Sequence, residues 1–176
     1  FSAMNELFTL KNIIMETKEK STLKNKTISI KRTLDLPIDT IWKAFTDPET
    51  FKKWWGPYDY TCTVCKIDLK VGGKYLYNMK GKNGEEIYGT GTYKEIIPKK
   101  KLVMTDNFSD EKGNITDAPK EMPGDWSKEL LVTVELQEKN GKTEFSLTHE
   151  GIPVEASDDC TKGWSESFDK MEKNLK

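Results

Sequence analysis

Histidine is the side chain best suited to moving protons at neutral pH, and the sequence holds one, His149, next to Glu150 at the end of "KTEFSLTHE". As a general base it needs an orienting partner and access to a pocket. It alternates with Phe145 and Leu147, so it can face inward with them; a lone strand-end histidine is more often a structural residue. Glu95, in "YKEI", is the second candidate and shares a face with Tyr93. Buried, it would have a raised pKa and polarise a ligand; exposed, it only adds solvation. Cys62 and Cys65 spell C-x-x-C, a redox or zinc spacing, but inside an alternating run the two thiols point to opposite faces. A single histidine does not supply the second ligand pair either, so packing rather than metal is expected of them. The sequence carries no serine or cysteine nucleophile motif, Gly-rich phosphate loop or paired-carboxylate signature.

The larger set of chemically useful residues is aromatic. In "KYLYNMK", Tyr75, Tyr77 and Met79 share a face; in "GTGTYKE", Gly89, Gly91 and Tyr93 do so, the glycines leaving room or allowing a bend. With Phe108, Phe145, Trp164, Phe168 and Met171, and with Trp126 from a loop, they make the wall of an apolar pocket with a few hydroxyls, the usual composition of a small-molecule site. The same stripe also makes a filled core. Trp54 and Trp55, in "DPETFKKWWGP", divide between these roles: one anchors a helix to the sheet rim, the other sits at a pocket mouth or partner surface.

The elements that must position these residues follow from periodicity. "TISIKRTL" (Thr27 to Leu34) alternates and reads as strand one. Ile38, Ile41, Trp42 and Phe45 recur at helical spacing after Pro37. Asp47-Pro48 caps and opens a second short helix, on which Phe51, Trp54 and Trp55 share a face, and Gly56-Pro57 ends it. From Tyr60 the period becomes two. "YTCTVCKIDL", "KYLYNMK", "EIYGTGTYKEII", "KLVMTDNF", "ELLVTVELQ" and "KTEFSLTHE" are six strand-like runs, with hairpin signals at Asn83-Gly84 and Asn140-Gly141. An antiparallel meander of about seven strands is too large to stay flat and should curl. The long Ser109 to Lys128 connection is a candidate lid. Cys160, Trp164, Phe168, Met171 and Leu175 form the apolar stripe of a final helix lying across the sheet.

Composition narrows the partners. At 176 residues the chain suits one domain. Charged residues make up 32% yet cancel to a formal charge of -1, and Arg32 is the only arginine, so neither a basic field nor bidentate base recognition favours nucleic acid. No run approaches the roughly 20 apolar residues of a membrane span, and no signal peptide is visible. With three cysteines, an odd number, a cytoplasmic location is expected. "FSAMN" reads as an expression remnant before a start at Met4, with Met15 as the other candidate. Residues 1–25 are expected to be an appendage, with helical spacing from Leu7 to Ile14 and a linker "ETKEKSTLKNK"; residues 26–176 are the domain.

Strand, two short helices, antiparallel meander and long C-terminal helix is the order of the α+β helix-grip fold. "TDPETFKKWWGP", "DLKVGGKYLYNM", "GTGTYKEIIPKKKLVMT" and the "GW" of the last helix resemble the family named after the activator of heat-shock protein 90 ATPase, within the START-like (SRPBCC) superfamily. The resemblance spans roughly Lys26 to Lys176. It implies a curved sheet wrapped on the last helix with a cavity between them, where many superfamily members hold lipids, hormones or polyketides. The leading expectation is a non-enzymatic domain, without cofactor, that binds a small apolar or amphipathic molecule there. One alternative is a co-chaperone-like protein that binds a partner and stimulates its ATPase. Another is a cyclase or hydrolase working in the cavity through His149, Glu95 or a tyrosine.

Overall fold

The computed structural model describes residues 24–176. The helix expected from Leu7 to Ile14 and most of the linker lie outside the described residues. In chain order the elements are β1 (Asn25–Leu34), α1 (Ile38–Thr46), α2 (Pro48–Phe51), β2 (Tyr60–Thr61), β3 (Cys65–Ile67), β4 (Lys74–Gly81), β5 (Glu86–Ile97), β6 (Lys101–Ser109), β7 (Leu130–Lys139), β8 (Lys142–Pro153), a 3-10 turn (Val154–Ala156) and α3 (Ser157–Asn174). One antiparallel sheet runs β1-β8-β7-β6-β5-β4-β2, with β3 also paired to β4. It curls into a half-barrel around α3, which is the helix-grip architecture.

The hairpins form where the sequence has flexible pairs. Asn140 and Gly141 both take positive φ, 53° and 77°, as a type I′ turn requires, and β7 pairs with β8 on either side. β1 alternates as expected, with Ile28, Ile30 and Leu34 buried. The run "YTCTVCKIDL" is not one strand. Asn78 on β4 is fully buried, and its Oδ1 accepts from the Thr63 and Val64 amides at 2.8 and 2.9 Å. The carboxamide takes the place of ladder bonds, so the edge breaks into β2 and β3 with Cys62 to Val64 bulged between them.

α1 buries Ile41, Ala44 and Phe45, the inward part of its apolar stripe. α2 starts as its sequence demands: Asp47 Oδ2 accepts from Thr50 N at 2.8 Å and from Thr50 Oγ1 at 2.6 Å, with Pro48 next in line. These hydrogen bonds hold the Asp47 carboxyl below its ordinary range. α2 itself is one turn, and the two tryptophans follow it in the turn that continues it. α3 is fixed to the sheet and to that turn by charged side chains. Arg32 of β1 reaches Asp169 Oδ1 at 2.6 Å and the Ser165 carbonyl at 3.1 Å. Lys170 Nζ donates to the carbonyls of Gly56 and Tyr60 at 2.8 and 2.9 Å. Among the described residues no helix is long and apolar enough to cross a membrane.

Candidate functional site

α3 is used on two faces, and this decides where space remains. Phe168 and Met171 are fully buried against the sheet, Phe168 edge-on to Phe145 with ring centroids 4.6 Å apart. Asp159, Cys160, Gly163 and Trp164, on the first half, and Ser167 just past it border an open groove of about 330 Å³. Its other walls are Trp55 and Pro57 from the turn after α2, Tyr77 and Met79 of β4, Phe108 of β6, and Met122, Pro123 and Trp126 of the long loop. Trp126 stands edge-on to Phe108 at 5.3 Å, and its indole N–H is used within the loop, donating to the Pro123 carbonyl at 2.9 Å. Beneath the groove lies a void of about 30 Å³ lined by Tyr75, Tyr77, Tyr93, Met104 and Asp106 among others. Trp55, Tyr77, Asp106 and Trp164 border both spaces.

The tyrosines reach this position because β5 is narrow there. Tyr75 and Tyr77 pair with Gly91 and Gly89 across β4 and β5. A Cβ at Gly89 would overlap the Tyr77 ring, and one at Gly91 would meet the Tyr75 hydroxyl at 2.6 Å as well as the Thr105 carbonyl. With neither present, both rings lie across β5 as far as β6. Tyr75 Oη donates to the Thr105 carbonyl at 2.5 Å and Tyr77 Oη to Asp106 Oδ1 at 3.0 Å. Burial, with the Asp106 charge adding to it, pushes both phenols well above their ordinary range, so they remain protonated donors.

Asp106 faces His149 across the sheet: Nε2 lies 3.4 Å from Asp106 Oδ2, close but not aligned as a hydrogen bond. On the other side of the ring, Trp164 Nε1–H donates to His149 Nδ1 at 3.1 Å. An indole nitrogen only donates, so Nδ1 is bare and the imidazole proton sits on Nε2. Burial lowers the His149 pKa and the Asp106 charge opposes that, with burial the larger effect. The histidine is therefore neutral at pH 7.

The structure gathers Trp55, Tyr77, Met79, Phe108, Trp126, Trp164 and His149 around the groove, and Tyr75 and Tyr93 around the void below it. It does not bring the other expected wall residues there. Trp54 is fully buried, its indole N–H donating to the Ala44 carbonyl at 2.9 Å, which makes it the anchor of the pair and Trp55 the one at the groove. Phe145, Phe168 and Met171 are core, because the second half of α3 is closed over β1 by Arg32. Glu95 is on the wrong face. The β5–β6 register shifts between Tyr93 and Glu95, so Tyr93 stays opposite Met104 on the inner face while Glu95 pairs with Val103 on the outer one. There Glu95 Oε2 meets Lys101 Nζ at 3.1 Å. Cys62, Cys65 and Cys160 are free thiols pushed up to about 11, 12 and 11, chiefly by burial. They are protonated at neutral pH and poor nucleophiles. Among the described residues no His, Cys, Asp or Glu cluster of three or more is placed to hold a metal. Asp106 was missed, although in "KLVMTDNF" it alternates with Met104 and Phe108 and so reads as an inward carboxylate.

The comparisons with known proteins bear on the fold and the family. No curated protein matches the chain. Among solved structures, a protein of Chromobacterium violaceum is 27% identical with a TM-score of 0.70, covering 85% of this chain and 96% of its own. A protein of Arthrobacter aurescens, 24% identical, gives a TM-score of 0.71 with 85% of each chain covered. The AHSA1 protein of Silicibacter pomeroyi, 18% identical over 85% of this chain and 97% of its own, gives 0.67; these last two bear on fold alone. The family model described as "Activator of Hsp90 ATPase homolog 1-like protein" matches residues 35–176, and the chain belongs to that family.

Proposed function

We propose that the groove between the sheet, the first half of α3 and the Ser109 to Lys128 loop binds a small apolar or amphipathic molecule in the cytoplasm. The observation that carries this reading is the groove itself. At about 330 Å³ it falls within the range of small-molecule sites, and Trp55, Tyr77, Phe108, Trp126 and Trp164 give it an aromatic wall with a few polar groups, Asp106 and His149, at its base. The loop contributes Met122, Pro123 and Trp126, so its movement would gate entry. The site is read as a binding site and not a catalytic one. His149 has one nitrogen occupied by Trp164 and its proton on the side of Asp106, and the thiols are held protonated.

Native mass spectrometry of protein purified from its own host, before and after denaturation, tests the proposal. A reproducible extra mass released by denaturation is expected. Bare protein under gentle conditions, together with an accelerated ATPase when it is added to its host's chaperone, would replace this reading by the partner-stimulating activity in the family's name.

A further inference from the structure

Among the described residues, two buried donors on the groove wall find no partner: Trp55 Nε1 and His149 Nε2. Both side chains belong to residues more than nine-tenths buried, Trp55 at 9% and His149 at 5% exposure. Buried donors are rarely left unmet, because each forfeits its bonds to water for nothing. Next to them Asp106 presents the opposite need. Its Oδ1 accepts from the Tyr77 hydroxyl at 3.0 Å and is 3.4 Å from that of Tyr75. Oδ2 has only the misaligned His149 contact at 3.4 Å, and no Lys or Arg among the described residues lies within ion-pair distance of it. The wall therefore offers spare donors and a spare anionic acceptor together, at the boundary of groove and void.

A ligand group that meets such a wall with a single atom must both accept and donate there and carry no negative charge. A carbonyl only accepts, and a carboxylate adds a second negative charge beside an uncompensated one. We infer that the groove selects ligands carrying a neutral hydroxyl, a phenol or an alcohol on an apolar body. The hydroxyl oxygen accepts from Trp55 or His149 and its O–H donates to Asp106 Oδ2. This rests on the reading of the groove as a small-molecule site and specifies its ligand class.

Three probes with the same ring system test it: 1-naphthol, naphthalene and 1-naphthoate, titrated at pH 7.5 into the full chain and followed by protein-observed NMR. The naphthol is expected to bind about tenfold more tightly than naphthalene and at least about tenfold more tightly than the naphthoate. Trp55→Phe removes one donor together with part of the wall, so naphthalene measured in the same variant reports the lost packing; the naphthol's advantage over naphthalene should shrink from about tenfold toward parity. Asp106→Asn keeps an acceptor and removes the charge, and should bring the naphthoate to within about threefold of the naphthol. Equal binding of naphthol and naphthalene in the wild type would mean that water meets these donors and would overturn the inference while leaving the groove a ligand site. So would tight naphthoate binding in the wild type, or an Asp106→Asn variant with an unchanged ratio. Failure of all three probes to perturb groove residues would overturn the small-molecule reading itself.

Discussion

His149 shows how one buried side chain links packing to pH. Burial holds its pKa below the ordinary histidine value, and the Asp106 charge restores only part of the difference. An unfolded chain takes up a proton near pH 6.5, whereas the folded one does so at lower pH. Between the two the unfolded state binds more protons, so stability falls as pH drops through that window; above it both states are neutral and the contribution vanishes. Lowering the pH from 7.5 to 5.5 should therefore cost the wild type more than His149→Gln, by at most about 1.4 kcal/mol at the lower pH. Glutamine retains an acceptor for the Trp164 N–H. Urea denaturation at both pH values measures the difference, and identical losses in the two proteins would mean that the folded histidine takes up its proton as readily as the unfolded one.

At the scale of elements, what was legible in the sequence was what periodicity controls. Alternation placed Tyr75, Tyr77 and Tyr93 together, and helical spacing grouped Phe51 with Trp54 and Trp55, whose rings lie 5.3 and 5.0 Å from that of Phe51. Illegible were the points where one side chain or one extra residue interrupts the period. Asn78 breaks the β2–β3 edge with its carboxamide, and the register shift after Tyr93 turns Glu95 outward. Nor does a stripe on a helix say which half will be covered, which is why Phe168 and Met171 proved to be core. The β4–β5 pair gives a direct test of positioning. Gly89→Ala puts a methyl group where the Tyr77 ring lies and should destabilise the fold by about 1–3 kcal/mol as an overpacked site. In a Tyr77→Leu background, where the ring is absent, the same substitution should cost at least about 1 kcal/mol less. Equal costs in both backgrounds would show that Gly89 serves the backbone and not the tyrosine.

For the whole molecule, the groove depends on α3 being held at a fixed distance from the turn that carries Trp55, and the residue with the most bonds across that gap is a lysine. Lys170 Nζ lies within 2.8–3.4 Å of four carbonyls, those of Trp55, Gly56, Pro57 and Tyr60, and burial lowers its pKa. Trp55 and Trp164, one on the turn and the other on the helix, meet edge-on at 4.9 Å where groove and void adjoin. Lys170→Met preserves the apolar stem and deletes the donors, stranding carbonyls that water reaches poorly. Charged hydrogen bonds of this sort are worth about 2 kcal/mol, or a fall of roughly 4–8 °C in Tm for a domain of this size. The loss should not be confined to stability. With α3 released from the turn, the Trp55 to Trp164 distance widens, and any ligand held in the groove should dissociate faster while its association rate changes little. Lys170→Arg, whose planar guanidinium cannot place its donors on the same converging carbonyls, should recover little of either property. If Lys170→Met were as stable as the wild type, the lysine would be a bystander to the turn, and the spacing of the groove would have to rest on the aromatic contacts, the Arg32–Asp169 pair and the hydrogen bonds of Tyr58 to Glu166 and Asp169 and of Asn174 to the Lys53 carbonyl.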